Sequence, residues 1–299
     1  MKNFNDLVLL TKDLPKRKIV VANPTENTTL EALLKASKVL SLEIILVGPK
    51  TTIEKTLNDY NITLKNYKII DIEDLETIAK TAVNIIKNKE ADILMKGLID
   101  TKTILKAVVN KQEGIRTDKL LTHVAVFSFE NYHKLLFASD CAMVIEPTFD
   151  QKIAIINNML NLLEKLKIKE PKIGVISAVE KVNPNINSSV EAAKLKEYYS
   201  SINGDFIVDG PFAVDNVISK LSAKIKNINS VVAANADGLI FPNIDAGNVF
   251  YKTSIYLANA VAAGLILGAK APIVLTSRAD SLLTKYYSIL LAGVYSYGS

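Results

Sequence analysis

One grammar recurs along the chain and limits what it can fold into. A short run of β-forming, mostly apolar residues ends in a cluster of glycine, hydroxyl and charged residues, and a helical pattern follows. Strands are expected at 18–22, 43–47, 67–71, 93–96, 123–129, 134–138, 172–177, 205–208, 238–241 and 271–276. Many are continuous apolar runs rather than alternating ones, the pattern of strands covered on both faces. Helices are expected at 28–40, 74–88, 101–110, 150–167, 188–199, 215–223, 247–267 and 280–292. Leu30, Leu33, Leu34 and Val39 mark the first. Ile153, Ile156, Met159, Leu160, Leu163 and Leu166 mark one side of the fourth, and Asp74 suits the N-cap of the second. Such alternation specifies an α/β protein with mostly parallel sheets.

The 299 residues suffice for two domains, and 49% hydrophobic with 22% charged residues supports a large core. The net charge of +5 is spread along the chain. It suits an anionic small ligand, not nucleic acid. One cysteine, Cys141, excludes an internal disulfide and fits a reducing compartment. The N-terminal segment lacks a signal-peptide core, and the apolar stretch 253–267 is too short for a membrane span and reads as a buried helix. A cytoplasmic protein without membrane contact is expected. His123, His133 and Cys141 have no metal-ligand spacing, so no metal is expected. No linker or repeat divides the chain. The segment 141–151, with Pro147, suits a crossing between domains. A return near Lys270 gives a discontinuous first domain, 1–138 plus 271–299, and a second at 139–270, with a ligand cleft between them.

The densest polar cluster is APIVLTSRADS at 271–281. A buried strand there delivers Thr276, Ser277, Arg278, Asp280 and Ser281 to one point. An Arg fork beside hydroxyls suits phosphate or carboxylate, and Asp280 to Ser281 can start the next helix with its N–H groups facing an anion. An N-cap beside a surface Arg reads equally well. At 91–109, Lys96 can meet phosphate as a point charge, Gly97 permits close backbone approach, and Thr101 and Thr103 stand where a helix begins. Asp140 follows the strand at 134–138. Asn243, Asp245, Asn248 and Lys252 follow the strand at 238–241, and Asp215 lies near a helix start. Asp245 and Asp215 serve equally well as helix caps. No phosphate-binding glycine motif, nucleophile elbow or paired-carboxylate motif occurs. That disfavours covalent catalysis and favours positioning of two bound substrates.

Taken in order, ADILMKGLIDT, THVAVFSF, SDCAMVIEPTFDQK, PKIGVISAVEKVNP, DGPFAVDN, ADGLIFPNIDAGNVFYK, LGAKAPIVLTSRADS and KYYSILLA resemble the phosphate acetyltransferase/butyryltransferase family. Weaker similarity, KIVVANPTENTTLEAL, reaches back to residue 18. SAVEKVNP and TSRADS look more like the butyryltransferase branch. The resemblance implies two α/β/α domains like those of isocitrate and isopropylmalate dehydrogenases, with the active site in the interdomain cleft. It implies reversible transfer of a short acyl group, butyryl or similar, between coenzyme A and inorganic phosphate. Acetyl-CoA as preferred substrate is the alternative. Coenzyme A and phosphate are then the partners, no cofactor is tightly bound, and a homo-oligomer, dimer or higher, is usual.

Ser277 and Arg278 match the family's serine–arginine pair at phosphate and thioester. The acetyl branch carries an aspartate where Thr284 stands, and the family's helix after KGLIDT often carries an arginine where Lys106 stands. Lys106 keeps the charge without the bidentate fork, and Arg116 is a further substrate-binding candidate. The expected catalytic set is Ser277, Arg278, Asp280 and Asp215, with Asp280 the first choice of base and Asp140 also weighed. Lys96, Thr101, Thr103, Lys106, Arg116, Asp140, Asn243, Asp245, Asn248 and Lys252 are expected to bind substrate. Three other readings share the architecture, and one is the acyl-ACP:phosphate acyltransferase of lipid synthesis. A decarboxylating dehydrogenase would need an aspartate cluster for metal and a nicotinamide site, and neither signal is present. A two-lobed protein that binds an anion without chemistry would share the basic residues.

Overall fold

The structure is a computed structural model that describes residues 1–297. The chain divides into two compact units, 4–121 with the residues from 262 onward, and 122–261 with 1–3. Both break points differ from those expected at 138/139 and 270/271. The strand at 122–128 pairs with the one at 136–139, which pairs in turn with the one at 238–240, so all three belong to one unit.

The first unit runs α1 (Phe4–Thr11), β1 (Arg17–Ala22), α2 (Asn27–Ser37), β2 (Leu42–Gly48), α3 (Lys50–Asp59), β3 (Tyr67–Asp71), α4 (Leu75–Lys87), β4 (Ile93–Lys96) and α5 (Thr101–Val108). The other unit contributes β5 (Thr122–Ser128), β6 (Leu136–Ser139), α6 (Phe149–Lys165), β7 (Lys172–Ile176), α7 (Asn187–Ser200), β8 (Ile207–Phe212), α8 (Val214–Ile218), α9 (Lys220–Ile225), β9 (Gly238–Ile240) and α10 (Ile244–Tyr256). β10 (Val261–Leu267), β11 (Ile273–Val274) and α11 (Leu282–Tyr295) return to the first unit.

In the first unit the strand order is β3-β2-β1-β4-β11-β10. All neighbours are parallel except β10, which runs against β11. β2 and β4 are buried almost throughout, as in a sheet covered on both faces. α2 and α1 pack on α11, and α4 packs on α5. In the other unit the order is β5-β6-β9-β7-β8, with only β5 antiparallel. Its α6 starts with a reciprocal cap, in which Gln151 N donates to Thr148 Oγ1 and Thr148 N donates to Gln151 Oε1. The apolar stripe of α6 is Ile155, Ile156, Met159, Leu162 and Leu163, rotated from the expected one. Ile153 and Leu160 are only half-buried.

The expected helix at 247–267 is overturned. α10 ends at Tyr256, Asn259 adopts φ 51, and 261–267 is a strand whose Ile266 opposes Ile273. A left-handed asparagine ends one element, and the apolar run beyond it finds a sheet neighbour. The expected helix at 215–223 breaks at Ser219, which caps α9 by accepting from Ser222 N. Asp74 caps α4 as expected, accepting from Thr77 N at 2.7 Å.

Candidate active site

Strand register brings three loops of the first unit to one sheet edge. Ala22 of β1 is level with Lys96 of β4, and Val274 of β11 with Met95. The loops after β1, β4 and β11 therefore emerge together at the carboxyl edge, where open α/β sheets bind ligands. Gly97 lets two of them touch. Its N–H donates to Ala22 O at 2.8 Å, and Leu98 N donates to Asn23 O at 2.7 Å. A Cβ at Gly97 would stand 2.4 Å from Asn23 O.

Lys96 ends β4 and is only 5% exposed. Its Nζ donates to the carbonyls of Gly97 at 3.2 Å and Ile99 at 3.0 Å. Burial pulls its ammonium below the usual lysine range. The Glu26 carboxylate opposes that, Arg278 and Lys285 reinforce it, and Asp280 opposes it. Five charged groups thus share the edge. Three are cations and two are carboxylates, so the cluster favours an added anion.

Lys285, on α11, is 1% exposed. Its Nζ stands 2.5 Å from Glu26 Oε1 and 2.7 Å from Thr28 Oγ1. Glu26 Oε1 also accepts from Thr29 Oγ1 at 2.5 Å. Burial pushes the Glu26 carboxyl up, but Lys285, Thr29 and Lys96 together outweigh it and leave the group below its ordinary value.

The β11–α11 loop closes the cluster. Ser277 N donates to Asp280 Oδ2 at 2.6 Å, Asp280 N to Ser277 O at 3.2 Å, and Ala279 N to Ser277 Oγ at 3.3 Å. Ser277 and Arg278 are exposed. The Thr276 hydroxyl is buried and has no hydrogen-bond partner among the described residues. A buried orphan hydroxyl is costly unless a ligand completes it. Ser281, not Asp280, caps α11, accepting from Thr284 N at 3.1 Å.

Lys96, Ser277, Arg278 and Asp280 thus come together. Thr101 and Thr103 open α5 just beyond the same β4 loop, where Asp100 caps the helix and accepts from both Thr103 N and Thr103 Oγ1. Lys106 stands one turn on, 3.3 Å from Glu76 of α4. With Thr103 and Lys80 it lines a cavity of about 320 Å³. Arg116 is elsewhere. It pairs backbone to backbone with Ala269, in the turn from β10 to β11. Since β10 and β11 are antiparallel, that turn lies at the edge opposite Lys96.

In the other unit, the expected residues after β6, β8 and β9 also share a carboxyl edge. Asp140 is buried, and its carboxylate accepts the N–H groups of His123, Ala142 and Met143 at 2.7–2.8 Å. It shapes its own loop. Asn243 caps α10 by accepting from Ala246 N and donates to Glu146. Asp245, Asn248 and Lys252 lie on one helical face. Asn248 donates to Cys141 O at 3.3 Å, whereas Asp245 and Lys252 are exposed. Asp215 accepts from Ser222 Oγ and sits 3.2 Å from Lys226. The Ser222 contact, with Lys226, holds its carboxyl below the ordinary range. Cys141 is buried, and burial pushes its thiol well up. Among the described residues, no group of three or more His, Cys, Asp and Glu is arranged to hold a metal, and no helix is long and apolar enough to cross a membrane.

Sequence reasoning missed Glu26 and Lys285. A signal for Lys285 existed, since it is the lone charge inside LLTKYYSILLA, and a lysine in such a helix needs a buried partner. Nothing local marks Glu26 as that partner.

A mostly parallel α/β sheet with charged loops at its carboxyl edge is an architecture shared by many small-molecule enzymes. Residues 75–293 match the phosphate acetyl/butaryl transferase family, and the chain belongs to it. It is 41% identical over 295 residues to the phosphate butyryltransferase of Clostridium beijerinckii, covering 98% of this chain and 97% of that protein. It is 39% identical over 282 residues to the phosphate acetyltransferase of Thermotoga maritima, covering 94% and 95%. Its fold superposes on the crystal structure of a branched-chain phosphotransacylase from Enterococcus faecalis with a TM-score of 0.83 and 30% identity, covering 94% of this chain and 99% of that one.

Proposed function

We propose that this protein transfers a short acyl group, butyryl or similar, reversibly between coenzyme A and inorganic phosphate. The observation that carries the reading is the basic cluster around buried Lys96, beside the orphan Thr276 hydroxyl, at the edge where Ser277, Arg278 and Asp280 meet. In the direction of acyl phosphate, a phosphate oxygen attacks the thioester carbonyl. The C–S bond of the tetrahedral oxyanion then breaks, and the proton shed by phosphate passes to the departing thiolate. Arg278 and Lys96 hold the phosphoryl oxygens, and the Ser277 and Thr276 hydroxyls donate to phosphate or oxyanion. Asp280 relays the proton. In reverse it accepts the thiol proton, which matters because a thiol of pKa about 8.5 is only slightly ionised at neutral pH. Asp215 stands behind Asp280 as the second choice, with Ser222 and Lys226 holding its carboxyl below the ordinary range.

Every bond made or broken lies between the two substrates, so this chemistry requires no prosthetic group. Holding both substrates together supplies the remainder as proximity. Thr101, Thr103 and Lys106 are the residues assigned to the phosphates of coenzyme A, and Thr103 and Lys106 also line the cavity between α4 and α5. We place the enzyme in the cytoplasm as a homo-oligomer, in line with its single, buried cysteine and the homo-oligomers usual in its family.

The test is a thiol-release assay with acetyl-, propionyl-, butyryl- and branched-chain CoA, each with phosphate. Two buried methylenes are worth about 1.6 kcal/mol, or roughly 15-fold in kcat/KM, in favour of butyryl over acetyl. A preference for acetyl overturns the chain-length assignment. No thiol release with any substrate overturns the activity.

A further inference from the structure

We infer that the exposed apolar face of α9 and α10 is the surface through which two copies of this chain pair about a two-fold axis. It gives a place to the homo-oligomer of the reading above and rests on that part of it. α9 has the residues of an amphipathic helix and nothing to cover them. Leu221 and Ile225 stand one turn apart on it, yet none of its six residues is buried. Ile218, just before the Ser219 cap, adds a third exposed apolar side chain. On α10, Val249 and Tyr256 share one helical face with exposed Thr253, and Leu257 follows at the C-cap. These six large apolar side chains are between 37% and 80% exposed.

The two rows are neighbours. Ile218, Ser219 and Lys220 line a cavity of about 630 Å³ together with Phe250, Thr253 and Ala258 of α10. A ridge and a groove thus stand side by side on one face. A self-complementary interface requires that form, because in a two-fold pair the ridge of each copy enters the groove of the other. A bilayer would cover the ridge but leave the groove unfilled. Neither row contains a charged residue, so pairing buries no unpaired ion. Lys220, at the groove, is exposed and keeps its ammonium in water. The area agrees. At roughly 100–150 Å² each, the six side chains expose about 700 Å², more than the largest apolar patch of a typical monomer and close to the roughly 800 Å² that each partner of a stable complex buries.

The experiment is sedimentation velocity at micromolar concentration. It uses wild type, the Leu221→Glu/Ile225→Glu double variant, Leu257→Glu and, as a control, Leu9→Glu. Leu9 is an equally exposed apolar residue on α1, in the other unit. Because α9 buries none of its residues within the chain, carboxylates at 221 and 225 leave the core of one copy in place. We expect wild type to sediment as a dimer or a higher even assembly. The double variant and Leu257→Glu should each weaken pairing by about 100-fold or more, with Leu9→Glu unchanged. A double variant that pairs as tightly as wild type overturns the proposal, as does a Leu9→Glu variant weakened to the same extent. Should the double variant fail to fold, Leu257→Glu decides alone, and unweakened pairing there overturns the surface. A monomeric wild type overturns it too. Its face then belongs to a lipid if the protein floats with phosphatidylglycerol vesicles, and to a different protein if it does not. Thiol release with butyryl-CoA and phosphate is measured on the same wild-type sample. Release by a monomer overturns the surface and not acyl transfer, whereas a dimer that releases no thiol overturns acyl transfer and not the surface.

Discussion

Replacing Gly97 by alanine probes the contact that aligns the β1 and β4 loops. The added Cβ would stand 2.4 Å from Asn23 O, 2.8 Å from Asn23 C and 2.9 Å from Ala22 O. Ordinary contact begins near 3.4 Å, so the two backbones must part by about 1 Å. Backbone cannot rotate away as a flexible side chain can. The separation also strains the Gly97 N to Ala22 O and Leu98 N to Asn23 O hydrogen bonds. Overpacking of this kind costs roughly 1–3 kcal/mol, and with hydrogen bonds involved the upper end is expected. That lowers the melting temperature by about 5 °C for a chain of this size. Lys96 directly precedes Gly97 and hydrogen-bonds to its carbonyl, so the displacement carries the ammonium with it. A misplacement of about 1 Å costs on the order of 10²-fold in rate. The assay is thiol release under saturating acyl-CoA with varied phosphate, alongside thermal melting monitored by circular dichroism. Turnover within twofold of wild type together with an unchanged melting temperature would refute the reasoning.

Three further outcomes are expected. Asp280→Asn should lower thiol transfer by about 10²- to 10⁴-fold, whereas Asp215→Asn retains most of it. Equal turnover for Asp280→Asn and wild type across the pH range removes Asp280 from the proton relay. Arg278→Lys keeps the charge but loses the two-pronged grip on phosphoryl oxygens, so KM for phosphate should rise at least tenfold, and an unchanged KM argues against that contact. Finally, Glu26 titrates below its ordinary value of 4.5 in the folded protein, so the stability it adds is present above that pH and is lost as pH falls through the lower, folded value. The urea midpoint of Glu26→Gln should therefore lie below wild type at pH 7 and converge on it in acid. A gap that persists at the same size in acid contradicts this sign.

Features fixed by local chemistry were legible in the sequence. Strands 67–71 and 93–96 appear where expected because polar residues punctuate both ends. The polar ends of β4 and β11 announced Lys96, Ser277, Arg278 and Asp280, because an apolar strand that stops in hydroxyls and charges has few places to put them. Features fixed by distant partners were not legible. The apolar run after Asn259 reads as helix until β11 is known to lie beside it. That same hairpin decides the position of Arg116, so its place at the far edge could not be read from its own neighbourhood. α3 escaped notice because only Ile53 and Leu57 are buried on it, too few to make a stripe. Glu26 and Lys285 belong to one ion pair, yet each looks ordinary alone.

Those two residues are 259 positions apart. β11, wedged between β4 and β10, also comes from the final tenth of the chain. During synthesis, the segment 122–261 is complete while the unit around it still lacks an inner strand and the helix that carries Lys285. The middle of the polypeptide can therefore consolidate first. The segment 4–121 must wait, with an unsatisfied sheet edge, until β11 and α11 have been made. A nascent chain halted before residue 273 would hold Lys96 and Glu26 yet lack Ser277, Arg278, Asp280 and Lys285. The cluster around Lys96 should thus assemble in one step, once α11 has been made.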